Sequence, residues 1–204
     1  MSLPEVLPGF ILAAFALAGS PGPANTVLAA AGAAFGLRRS LWLGTGIIAS
    51  VLSVMLLTAT GLAGLILAVP GVAPVATVAG ALYMAYLAWK IATAPPLQET
   101  TSETRAPSFG SGYFVGAGNP KTFAAVAALH SGFTLSPGNA WQEVVFKLVA
   151  LAPVLVVVNI VWLLLGAALT RCFRDPRLNR TVNIGFAVAL ILSLVIALLV
   201  YIYV

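Results

Sequence analysis

Residues 6–34 read VLPGFILAAFALAGSPGPANTVLAAAGAA, an apolar run interrupted at Gly19-Ser20-Pro21-Gly22-Pro23. A helix crossing a hydrocarbon core about 30 Å thick needs about 20 apolar residues, and this run is long enough. The interruption makes it informative. Proline lacks an N–H and clashes with the carbonyl four residues back, so Pro21 frees the carbonyl of Leu17 and Pro23 that of Gly19. Lipid cannot satisfy such groups; protein, water or a ligand must. A second interruption, Gly118-Asn119-Pro120-Lys121, lies in the run from Phe109 to Phe133 and frees the carbonyl of Gly116. In both, a small polar residue precedes proline, which is the N-cap and first-turn chemistry of a helix start.

The composition agrees with spans in a bilayer. Of 204 residues, 61% are hydrophobic and 7% charged, against ~25% charged in soluble domains. The mean hydropathy is +1.06. Fifteen acidic and basic side chains cannot cover a water-facing surface, which excludes a soluble enzyme and a nucleic-acid binder. The net charge of +5 falls in short loops, as orientation signals do. One cysteine, Cys172, permits no internal disulfide and no thiolate metal cluster.

Six stretches reach spanning length: about Val6 to Ala34, Leu41 to Val69, Val72 to Thr93, Phe109 to Phe133, Val144 to Leu169, and Val182 to the C-terminus. Their apolar residues run on without alternating, which favours helices over a barrel. The predicted class is an all-α integral membrane protein of six transmembrane helices. Met1 to Pro8 has no basic residue, so the first run reads as a mature span and not as a signal peptide.

Arg38 and Arg39, Lys90 and Arg105, and Arg171, Arg174, Arg177 and Arg180 all follow odd-numbered spans. The positive-inside rule puts those loops in the cytoplasm and both termini outside. Trp42 and Trp89, with Trp141, Tyr201 and Tyr203 at the other side, suit interfacial belts. Residues 94–108, rich in Pro, Thr and Ser, form a cytoplasmic linker within one membrane domain of residues 1–204. The linker separates the halves 1–93 and 109–204. With three spans each, homologous halves would be inverted relative to one another, the plan of many secondary transporters. Offset by 99 residues, Phe10, Phe15, Ala18, Gly19 and Pro21 match Phe109, Phe114, Ala117, Gly118 and Pro120. The matched block ends where each half's first helix is broken by proline.

A helix restarting at mid-membrane presents free N–H groups and a positive dipole end, which suit an anion. Lys121 adds a full charge about 12 residues, or ~18 Å, into its span. A lysine there costs roughly 2.5–3.5 kcal/mol on insertion scales, and no acidic residue lies at that depth. Glu143 and Lys147 sit near the outer surface, spaced to pair with each other. The candidate substrate-binding and gating residues are therefore Ser20, Pro21, Gly22, Pro23, Asn25, Asn119, Pro120 and Lys121. Pro153 reads as a kink, and His130 as an interfacial residue. Gly32-xxx-Gly36 and Gly112-xxx-Gly116 read as close packing. No metal site is expected: Asp175 is in a loop, Cys172 stands alone, and His130 has no partner. No catalytic motif and no cofactor motif is present, so the chain is not read as an enzyme.

At these residues the chain resembles the lysine exporter (LysE/RhtB-type) translocator family. The likeness rests on Ser20-Pro21-Gly22-Pro23, Ala33-Ala34-Phe35-Gly36, Tyr83-Met84-Ala85-Tyr86-Leu87-Ala88-Trp89-Lys90 and Gly118-Asn119-Pro120-Lys121. One departure is Ala24 after Pro-Gly-Pro, where many members carry Asn. Here Asn25 comes one position later, turned by about 100° on a helix. The resemblance implies an inner-membrane exporter of amino acids or related small metabolites, driven by the proton gradient and working by alternating access. The partners it implies are a small-molecule substrate and the bilayer, with no nucleic acid; homo-oligomers are compatible with it. A divalent-cation exporter of the same superfamily and a non-catalytic scaffold are the alternative readings.

Overall fold

The computed structural model describes residues 3–61, 69–93, 107–168, 180–181, 184–192 and 195. The described residues form helices and no strands: α1 (Leu3–Gly19), α2 (Pro23–Ala59), α3 (Val72–Ala92), α4 (Phe109–Ala117), α5 (Pro120–Gly132) and α6 (Ala140–Ala168). Residues 184–192 are helical too. Among these, α2 and α6 are long and apolar enough to cross a membrane, and α1 is a shorter apolar helix. Most of the linker, with Glu99, Glu103 and Arg105, lies outside the described residues. So do Arg171, Cys172, Arg174, Asp175, Arg177, Tyr201 and Tyr203.

The helix ends follow local chemistry. α1 stops at Gly19, and α2 resumes at Pro23 after Gly22 as N-cap. α4 stops at Ala117, and α5 begins at Pro120 with Asn119 as N-cap. Within α2, Gly36 stands at φ 74 and ψ 170, a region essentially reserved for glycine. It divides α2 into residues 23–35 and 37–59. Ser40 Oγ donates to the carbonyl of Ala31 at 2.8 Å, tying the two segments together across this kink. Gly36 thus corrects one expectation: a side chain at this position would touch nothing, so its work is to turn the chain and not to pack.

α2 is the central element, packed chiefly on α6 and α4. A Cβ on Gly32 would overlap the backbone of Leu163, and one on Gly166 the backbone of Ala29. Likewise Gly46 abuts Phe109, and Gly112 abuts Leu43. Such close backbone approach is how helices pack where water supplies no driving force. α1 lies on α5 and α6.

Two apolar clusters lie along the bundle. One gathers Leu28, Leu43, Ile47, Leu163 and Leu190. The other gathers Phe10, Met55, Leu129, Leu135, Leu151 and Leu155, at the end bearing the start of α1 and the α5–α6 connection. We term this the upper end. Outside, Leu12, Trp42, Val75, Trp141 and Val149 are all at least two-thirds exposed. Inside, Asn25, Thr26, Ser40, Ser50, Asn119, Thr122, Lys147 and Asn159 are buried. Polar residues within and large apolar ones outside are what a lipid solvent selects.

Candidate functional site

The junction between α1 and α2 must satisfy the carbonyls its prolines release, and it does so with side chains. Ser20 Oγ donates to Leu17 O at 3.0 Å. Trp162 Nε1, from α6, donates to Gly19 O at 3.2 Å. The buried amide of Asn25 donates to Ala18 O at 2.7 Å and to Ser20 O at 2.8 Å. At the second junction, Gly118 N–H caps the carbonyls of Gly116 and Phe114. Asn119 N–H adds a bond to Gly116 O at 3.3 Å, while its side chain accepts from Lys121 N–H at 3.1 Å.

The two junctions meet through Lys121. Its ammonium donates to Ser20 O at 2.5 Å and to Pro21 O at 3.3 Å. These carbonyls extend the C-terminal end of α1, where the helix dipole favours a cation. The side chain lies along Gly22, whose missing Cβ would stand 2.9 Å from Lys121 Cδ. Gly22 itself is in extended backbone, φ 180 and ψ 175, so this contact, and not backbone freedom, suits glycine here.

Beside the lysine is a small cavity of about 60 Å³. Gly22, Asn25, Asn119, Lys121, Thr122 and Asn159 contribute to its wall, and Leu17, Ile47, Val51, Val126, Leu129, Leu151, Leu155 and Val158 supply the apolar remainder. One cation, three amides and a hydroxyl in an apolar wall can hold a small zwitterion or anion. Every candidate residue is at or next to this site, but in differing roles. Gly22, Asn25, Asn119 and Lys121 line the cavity. Ser20 and Pro21 offer their carbonyls to Lys121. Pro23 and Pro120 open α2 and α5.

Two expectations change. Ser20 is not the N-cap of the helix that follows; its hydroxyl turns back to Leu17, and α2 starts three residues on, at the second proline, with Gly22 as N-cap. Lys121 has no acidic partner among the described residues but is bonded to backbone oxygen. Three residues enter the site without belonging to either motif: Thr122, Asn159 and Trp162. Asn159 carried a signal, as a lone amide in Val156-Val157-Val158-Asn159-Ile160-Val161. Its Nδ2 donates to Gly44 O at 3.0 Å, fastening α6 to α2.

The family described as LysE type translocator matches residues 15–202. The chain belongs to that family. Cysteine/O-acetylserine efflux proteins of Escherichia coli O1:K1 / APEC, Escherichia coli strain K12 and Shigella sonnei strain Ss046 are each 31% identical to it over 188 residues. The aligned region covers 92% of this chain and 95% of each of theirs. No solved structure matches. As a LysE type translocator the chain is an inner-membrane transporter for amino-acid efflux, and not an enzyme.

Proposed function

We propose that this LysE type translocator is a secondary exporter of small zwitterionic amino acids, moving them by alternating access against an inward flow of protons. Cysteine and O-acetylserine, the substrates named for its relatives, are the first candidates. In this reading six spans form two inverted halves, termini outside, and the first span of each half is proline-broken. Support for the inversion comes from the packing: α1 lies against α6, and α4 against the second segment of α2, so each half's opening helix rests on the other half.

The observation that carries the reading is the ammonium of Lys121 on the carbonyls of Ser20 and Pro21, in the wall of a polar cavity. A zwitterion can exchange with it. The substrate carboxylate draws the Lys121 ammonium away, and the substrate's own ammonium takes the vacated carbonyls. Each charge keeps a partner throughout, as a low-dielectric site requires. The same exchange disfavours substrates with a cationic side chain, which would bring a second positive charge to Lys121. A scaffold would have no use for such a cavity.

Replacing Lys121 with Met keeps the length and removes the charge. Cells expressing Lys121→Met should lose O-acetylserine and cysteine efflux at least tenfold, at normal abundance in the membrane. That fold-change is about 1.4 kcal/mol, next to the lower end of the roughly 1.5–3 kcal/mol of a hydrogen bond to a charged group. Undiminished efflux by this variant would overturn the assignment.

A further inference from the structure

At the upper end of the bundle a second polar cluster is set in the apolar packing. Lys147 on α6 is buried, 1% exposed. Its ammonium pairs with Glu143, one turn earlier, at 2.6 Å, and donates to the carbonyl of His130, in the last turn of α5, at 2.7 Å. Glu143 accepts with its other oxygen from Ser136 N–H, in the α5–α6 connection. One ion pair thus holds both the end of α5 and the loop that follows it. Leu129, next to His130, and Leu151, one turn below Lys147, line the cavity, so the tie lies over its apolar roof.

The imidazole of His130 takes no part in this tie. Its Nδ1 is the one buried side-chain nitrogen or oxygen among the described residues that lacks a hydrogen-bond partner. Lys147 and Glu143 both act on it electrostatically. The other elements packed around α5 add little charge. α1 carries only Glu5, in its first turn, while residues 40–59 of α2 and all of α4 carry none.

We infer that His130 is the proton-binding site that opens the upper end of the cavity. The proton comes from the outer medium and is carried on an imidazole nitrogen; no other covalent bond forms or breaks. The imidazolium repels Lys147 and competes with it for the carboxylate of Glu143. When Glu143 turns to His130, the tie between α6 and α5 is released, the roof parts, and substrate leaves as the proton enters. This inference rests on the export reading and on its orientation.

The test reads opening directly and needs no substrate. Leu129→Cys, made together with Cys172→Ser, places a thiol in the cavity roof. Right-side-out vesicles are treated with a membrane-impermeant maleimide at about pH 5.5 and pH 7.5, on either side of the ordinary histidine range. The same cysteine in a His130→Gln background supplies the intrinsic pH dependence of the reagent. Relative to that control, labelling should be several-fold faster at the acidic pH and equal at the neutral one. A His130→Lys variant, with a permanent cation, should label fast at both. Equal labelling with and without the imidazole at acidic pH would overturn the inference, whatever the lysine variant does. Failure here leaves the Lys121→Met efflux test standing, so the two readings fall separately.

Discussion

Asn25 shows what a side chain must do where a helix restarts away from water. Both of its amide bonds go to carbonyls of the preceding turn, Ala18 and Ser20. Its position one residue beyond the usual place for asparagine therefore fits a structural staple that also lines the cavity. Asn25→Ala leaves Ala18 O without its donor, which should lower stability by about 1–3 kcal/mol. A thermal melt of the detergent-purified protein checks this, and an unchanged melt would return Asn25 to substrate binding alone. Lys121 and Asn119 were legible in the sequence because a mid-span charge and an Asn-Pro pair are locally costly unless used. The partners of Lys121 were not. Backbone oxygens have no letter in a sequence, and which ones face a side chain is decided only when helices pack. Trp162 and Thr122 stayed hidden for the same reason.

For the elements, legibility depended on proline. Both junctions stand out because each proline there follows a small polar residue, whereas Pro8 and Pro153 lie inside α1 and α6 without ending them; which of Pro21 and Pro23 starts α2 depends on Ser20 turning back to Leu17. The kink at Gly36 has no proline to announce it, and a spacing of four glycine-to-glycine residues reads as packing whether or not both members pack. The join of α5 and α6 offers a pH test. Glu143 lies in the first turn of α6, ahead of the apolar stretch that begins at Val144. Burial pushes its carboxyl up, but hydrogen bonds from the Lys147 ammonium and the Ser136 N–H outweigh burial and hold it below its ordinary value of 4.5. A depressed carboxyl stabilises the fold fully above that ordinary value and loses its contribution as pH falls through the folded one. With the imidazole removed, as in a His130→Gln background, the melting temperature should thus be flat from about pH 7 to 5 and drop below about pH 4.5. Glu143→Gln should melt lower at neutral pH and lack this drop; a parallel drop in the variant would assign it elsewhere. Glu143 stays charged where histidine titrates, as its competition between Lys147 and His130 requires.

At the scale of the whole molecule, helical class and membrane setting were written in composition, while the packing of α1 on α6 and of α4 on α2 was not. Orientation has its own probe in Cys172, which lies outside the described residues but belongs to the basic loop of Arg171 and Arg174. An impermeant maleimide should spare it in intact cells and label it in inside-out vesicles. Labelling from outside would reverse the molecule and the side on which His130 meets protons. The bond from Lys121 to Ser20 also has a consequence for how the protein is born. It joins residues 101 apart in the chain. A ribosome adding about 5–20 residues per second needs about 5–20 s to make that stretch. Throughout that interval the carbonyl of Pro21, whose donor is Lys121, must find water or the insertion machinery instead. The early part of the chain is thus made without one of its hydrogen-bond donors, and that carbonyl gains its cation only when residue 121 arrives.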